Sequence, residues 1–169
     1  MRTFDATAHN VMANHPETIK ALGWDPANGW MVFDELAKEP AYYALLHNGA
    51  HDFTVEEVAN GILPEGFPTF GFICEWSAPG VWQIHTVSLP EARGNLVGEA
   101  KKLIHEMFTE HGADMIWGMC AMENIRARKF FPKIGADNAG EGVHHVTGDV
   151  EYFRNSKARW LRDHWNNDK

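Results

Sequence analysis

The chain has 169 residues, enough for one domain with a buried core, and its 44% hydrophobic and 22% charged content is that of a soluble globular protein. A net charge of −8 argues against a nucleic-acid backbone as main partner, because phosphates are bound by clustered Lys and Arg. No apolar leader follows Met1, and no run of about eighteen apolar residues could span a membrane, so a soluble cytoplasmic protein is expected.

Cys74 and Cys120 both fall in strand-like stretches and read as reduced, buried thiols. Seven Trp and ten Phe suit bulky core packing in preference to an aromatic-lined cleft. Residues 1–14 are weakly patterned and are expected to be extended. Asn14-His15-Pro16-Glu17 starts a helix, with Pro16 at the first position, that runs to about Leu22 before Gly23. Asp25-Pro26 and Asn28-Gly29 are turn signals between Trp24 and Trp30.

Phe33 to Lys38 gives one or two helical turns ended by Pro40, and Ala41 to His47 reads as a strand followed by an Asn48-Gly49 hairpin signal. Thr54-Val55-Glu56-Glu57 has capping-box spacing for a short helix. Leu63 to Pro68 is a loop. Thr69 to Trp76 alternates, with Phe70, Phe72, Cys74 and Trp76 on one face and Gly71, Ile73 and Glu75 on the other.

The chain turns at Ser77-Ala78-Pro79-Gly80 and returns as a strand from Val81 to Ser88. After it come a glycine-bearing turn (Pro90 to Gly98), an amphipathic helix (Leu96 to His111), a strand (Met115 to Cys120) and a short helix (Asn124 to Lys133), bent or ended by Pro132. Leu96, Ala100, Leu103, Ile104, Met107 and Phe108 share one face of the long helix. This is a β-α-β-α unit, and the turn before its first helix leaves backbone N–H groups free for an anion. Gly140-Glu141-Gly142 is expected to be a loop, Val143 to Thr147 and Val150 to Arg154 a final hairpin. Ser156 to Trp165 then forms a helix with Ala158, Leu161 and Trp165 on one side. No internal repeat or low-complexity linker divides the chain, which supports one domain over residues 1–169.

Two segments carry a family resemblance. Pro90-Glu91-Ala92-Arg93-Gly94-Asn95-Leu96-Val97-Gly98 resembles the acetyl-CoA pyrophosphate loop of the GNAT N-acetyltransferases, whose pattern is Gln/Arg-x-x-Gly-x-Gly/Ala. Asn124-Ile125-Arg126-Ala127-Arg128-Lys129-Phe130-Phe131-Pro132-Lys133-Ile134-Gly135-Ala136 is similar to the family's Asn-x-x-Ala-x-x-x-Tyr-x-x-x-Gly-Phe segment. Ile84-His85-Thr86 resembles a version found in bacteriophage-encoded members. The resemblance covers roughly residues 70 to 155. It implies an α/β (α+β) fold: a mixed, mostly antiparallel sheet flanked by helices around the central cofactor unit.

The resemblance also implies acetyl-CoA as cofactor and an amine acceptor, a small molecule or a protein, with a homodimer or a phage or host protein as further partner. A phage-encoded protein would work in the host cytoplasm. Charged transfer RNA as acceptor fits poorly with the −8 charge. The cofactor residues would be Val87, Ser88, Arg93, Gly94, Asn95, Leu96, Val97, Gly98, Asn124, Arg128 and Phe131. Leu96 replaces the family's middle glycine and is expected to crowd the phosphates. Phe131 replaces a tyrosine acid and has no proton to give.

Attack on a thioester needs a base, and His85, on the strand entering the loop, titrates near neutral pH. Glu75 is the second choice, acting through water, and Gln83 shares the face of His85 and would hydrogen-bond the acceptor. The bland reading of His85, a structural histidine paired to a backbone or carboxylate group, stands beside this. Cys120 or a water would substitute for the missing acid. Trp24 and Trp30 would line the acceptor cleft, although a role as core anchors of their loop is the preferred reading. A GNAT-fold protein that has lost catalysis and serves as a binding or virion-associated module is the alternative.

No metal site is expected. His47 and His51 have helical ligand spacing but Asn48-Gly49 breaks the helix, and His144-His145 in a strand would point to opposite faces. His105 and His111 lie off ligand spacing. No Gly-x-Ser-x-Gly elbow marks a hydrolase.

Overall fold

The computed structural model describes residues 1–49 and 53–165. Seven strands form one sheet in the order β1-β2-β3-β4-β5-β7-β6. They are β1 (Arg2–Thr3), β2 (Tyr43–His47), β3 (Phe70–Ala78), β4 (Val81–Ser88), β5 (Met115–Ala121), β6 (Asp137–His144) and β7 (Gly148–Ser156). Every neighbouring pair is antiparallel except β4 with β5. The helices are α1 (Thr7–Ala13), α2 (Pro16–Ala21), α3 (Asp34–Ala37), α4 (Val55–Ala59), α5 (Leu96–Glu110), α6 (Ile125–Lys133) and α7 (Lys157–Trp165).

The alternation along β3 divides the core in two. Phe70, Phe72 and Cys74 join Ile84, Phe131, Phe153 and Trp160 under the apolar stripe of α5. Ile73, with Leu45, Val87 and Leu89, is covered by Ala8, Met12 and Ala13 of α1 and by Phe33. Leu103, Ile104, Met107 and Phe108 of α5 are at most 3% exposed, and each such side chain contributes ~1.5–3 kcal/mol of burial. Local signals hold where they are strong. Pro16 opens α2, and the Thr54 capping box forms both of its hydrogen bonds, Thr54 Oγ1 accepting from Glu57 N at 3.2 Å and Glu57 Oε2 accepting from Thr54 N at 2.9 Å. Pro132 lies within the last turn of α6.

Several expectations are corrected. Residues 7–13, read as extended, form α1, which buries Ala8, His9, Met12 and Ala13. His9 Nε2 lies 2.9 Å from the Leu46 carbonyl and 3.2 Å from that of Phe72. Both partners only accept, so Nε2 carries the proton and donates to each, and Nδ1 is left buried with no hydrogen-bond partner. A Cβ on Gly71 would sit 2.7 Å from the Leu46 carbonyl oxygen and 3.1 Å from His9 Nε2, so glycine admits the ring there.

Asn48-Gly49 does not close a hairpin: β2 pairs with β3, and Asn48 Oδ1 accepts from the amides of Thr69 and Phe70 at 2.9 and 3.0 Å, tying the end of β2 to the start of β3. Gly140-Glu141-Gly142 is not a loop but part of β6, which begins at Asp137 and pairs along β7. His144 and His145 straddle the strand end, where their rings come within 4.5 Å instead of pointing apart. In α7 it is Trp160 that is buried, while Ala158 is exposed. His51 lies outside the described residues, as does the side chain of Trp165. Cys74 and Cys120 are free and buried, as expected of reduced thiols.

Candidate functional site

β4 and β5 run parallel through Val81↔Met115, Trp82↔Ile116 and Gln83↔Trp117, and there the pairing stops. Both strands continue, β4 to Ser88 and β5 to Ala121, each held on its outer side by β3 and β7 respectively. The Leu89 amide donates to the Thr69 carbonyl at 2.8 Å. Counting back in twos, the main-chain groups of Val87 and His85 turn to β3, and those of Ser88 and Thr86 face the gap. On β5 the Met122 amide donates to Asp149, so the main chain of Met119 and Ala121 faces the gap from the other side. The gap is therefore a slot between two extended backbones. Phe131 lies over Gly118 where the strands part: a Cβ on Gly118 would be 2.9 Å from its ring and 3.5 Å from the Ile84 carbonyl oxygen.

Beyond the end of β4 the chain makes a 3-10 turn at Pro90–Ala92 and passes Gly94, whose φ of +94° and open surroundings suit glycine alone. Asn95 occupies the N-cap position of α5 but its side chain caps nothing; its Nδ2 donates instead to Glu99 Oε1 at 2.9 Å. The amides of Leu96, Val97 and Gly98 thus begin a long helix without a capping side chain, with the positive end of its dipole behind them. A Cβ on Gly98 would meet Asn95 Oδ1 at 2.5 Å. Leu96 and Val97 pack against the core beneath α5. Leu96, the residue expected to crowd the phosphates, is half-buried against that core.

His85, Gln83 and Glu75 share one face of the sheet beside the gap. Gln83 is in register with both Glu75 and Trp117, and His85 with Ile73. His85 Nε2 lies 3.6 Å from Glu75 Oε2. Burial pushes the His85 imidazole below its usual pKa, against the opposing pull of the Glu75 carboxylate, so the ring is neutral at physiological pH. The carboxylate favours the proton on Nε2 and leaves the lone pair on Nδ1.

The other sequence candidates fall in several places. The side chain of Val87 is fully buried under α1 and its main chain turns to β3, so it offers the gap nothing. The Ser88 carbonyl accepts from Thr18 Oγ1 at 2.6 Å, which ties α2 to the end of β4. Arg93 is ion-paired with Glu17 of α2. Asn124 Oδ1 accepts from the Ala127 amide at 3.1 Å as the cap of α6. Arg128 is turned away, its Nε donating to Glu151 at 2.6 Å and a guanidinium nitrogen to the Met122 carbonyl at 3.1 Å. Phe131 is buried and stacked on Phe153 at 4.6 Å.

Cys120 lies in the same core, where burial pushes its thiol up to about 11, so it stays protonated at neutral pH. Trp24 is half-buried with its indole N–H on the Gly29 carbonyl, and Trp30 is 70% exposed. Neither belongs to the buried core, against the preferred reading as core anchors; both lie on the loop between α2 and α3, outside the His85 cluster. Glu106, Glu110 and His111 also gather near the far end of α5, but Glu106 is already engaged by the N-terminal amine and His111.

The reading of the residues missed Trp117 and Tyr152. They join the His85 face only through the β4–β5 and β5–β7 registers, a signal that a period-two pattern within one strand does not contain. No protein-family model and no curated protein matches the sequence.

Solved structures do match. An aminoglycoside acetyltransferase, AAC(6')-Ib, in complex with coenzyme A and kanamycin aligns over 96% of this chain and 97% of its own, with a TM-score of 0.66 and 12% identity. Spermidine N-acetyltransferase from Vibrio cholerae, in complex with CoA and spermine, aligns over 90% of each chain with a TM-score of 0.62 and 16% identity. Coverage of nearly the whole length on both sides, together with the mixed seven-stranded sheet, shows that the chain has the fold of the GNAT acetyltransferases.

Proposed function

We propose that the chain is an N-acetyltransferase that passes an acetyl group from acetyl-CoA to an amine by direct attack in a ternary complex. The observation that carries this reading is the slot between β4 and β5 leading to the uncapped start of α5. The residues fit the cofactor. The amides of Leu96, Val97 and Gly98 would hold the pyrophosphate, with Gly94 leaving room above them, and the gap-facing main chain of Thr86 would hold the extended arm. Arg93 would reach the phosphates on leaving Glu17. Acetyl-CoA, when bound, supplies an acetyl carbonyl activated as a thioester.

This chain supplies the proton chemistry and the orientation. His85 accepts the acceptor's proton on Nδ1, and Glu75 holds the tautomer that leaves this nitrogen basic. Gln83 offers its amide beside them. Phe131 and protonated Cys120 lie on the opposite face of the sheet, so the departing sulfur takes its proton from water.

Calorimetric titration with acetyl-CoA and CoA at low salt tests the cofactor half, and saturable binding is expected. His85→Ala should keep the fold and lose transfer. A second reading, a catalytically silent binding or virion-associated module, is favoured by Phe131, which fills the place of a proton donor with a ring packed on Phe153. Cofactor binding with no turnover on any amine would select it.

A further inference from the structure

The His85 face of the sheet is buried on one side of the gap and half-buried on the other. Leu45 and Ile73 lie under α1 and are at most 4% exposed. Across the gap, Trp117, Met119 and Tyr152 on the same face are only half-buried and belong to neither core cluster. Two rows cross the sheet here. One is Glu75, Gln83, Trp117, Arg154 and Asp137 in register; the other brings Tyr152 beside Met119.

The aromatic pair is held in place. Trp117 Nε1 donates to Ser77 Oγ at 2.9 Å, and its ring centroid lies 6.2 Å from that of Tyr152. Tyr152 lies flat along β6, where a Cβ on Gly142 would come within 2.8 Å of its ring. Strand spacing puts Glu75 and Trp117 about 10 Å apart along the row. A carboxylate therefore stands at one end, a flat aromatic shelf in the middle, and the exposed cation of Arg154 beyond it.

From this order of charges we propose that the acceptor is an arylalkyl monoamine, its ammonium beside Glu75 and His85 and its ring on Trp117 and Tyr152. The proposal rests on the transferase reading and names its substrate class. The ammonium meets Glu75, the carboxylate on the β4 side of the shelf, and an aromatic ring stacks on the shelf by offset or edge contacts. A polycation laid along the same row would bring its second ammonium toward Arg154, beyond which Asp137 is already ion-paired with Arg159, and be repelled.

The test is titration of the purified protein with phenethylamine and with spermidine, each with and without CoA. Phenethylamine should bind tighter, and Trp117→Ala should weaken it roughly three- to tenfold while leaving spermidine unchanged. Tyr152→Leu serves as the second variant should Trp117→Ala lose its thermal transition. Spermidine binding as tightly or tighter overturns the proposal, as does a Trp117→Ala effect equal on both amines. Saturable CoA binding without the amine preference refutes the shelf alone. The amine preference with neither CoA binding nor turnover refutes the transferase reading alone.

Discussion

His9 offers a stability measurement whose size follows from the structure. Its ring is completely buried, donates from Nε2 to the Leu46 and Phe72 carbonyls, and leaves Nδ1 without a partner. Burial lowers its pKa from 6.5 to about 4, opposed by the two carbonyl hydrogen bonds and reinforced by the neighbouring His47 ring and the N-terminal amine. The unfolded chain binds a proton at this residue below pH 6.5, whereas the folded chain does not until about pH 4. Stability is therefore fully present above pH 6.5 and is lost as pH falls toward 4. The shift corresponds to about 3 kcal/mol.

His9→Gln keeps an amide N–H for the same carbonyls but cannot titrate. Urea unfolding of both proteins at steps from pH 7 to pH 4 isolates the effect, because the remaining titrating groups are common to the two. The stability of the native chain relative to the variant should fall by about 3 kcal/mol over that range. Parallel curves would refute the buried neutral ring and, with it, the account of how α1 is fastened to β2 and β3.

Three further outcomes are expected. Leu96→Gly removes core packing beneath α5 and adds glycine to the helix, so it should cost about 1–3 kcal/mol in urea unfolding without tightening CoA; tighter CoA binding would mean that Leu96 crowds the phosphates after all. Gly118→Ala drives a methyl into the stacked ring of Phe131 and should destabilise by about 1–3 kcal/mol, read from the urea midpoint. If His85 is the base, kcat/KM should hold through pH 6.5 and fall only at more acidic pH, because burial sets the imidazole below its usual pKa and keeps it neutral there. His85→Gln should abolish that acidic limb along with most activity, and an unchanged limb would assign it to another group.

The amino-acid sequence by itself determined the elements whose information is local. The stripe from Leu96 to Phe108 fixes α5 because its spacing alone makes one face apolar, and Thr54 with Glu57 fixes the start of α4 through two hydrogen bonds three residues apart. The alternation of β3 announced a strand, and the loop from Arg93 to Gly98 marked the start of α5. Only the tertiary structure decided the rest. α1 has no strong pattern of its own and is held by a histidine that reaches carbonyls on two distant strands.

Glycine-rich β6 reads as a loop until β7 supplies its hydrogen-bonded partner. The site divides along the same line. His85, Gln83 and Glu75 were legible from period two on adjacent strands. The parting of β4 from β5, and the arrival of Trp117 and Tyr152 on the same face, depend on register between strands that only packing of the whole sheet establishes.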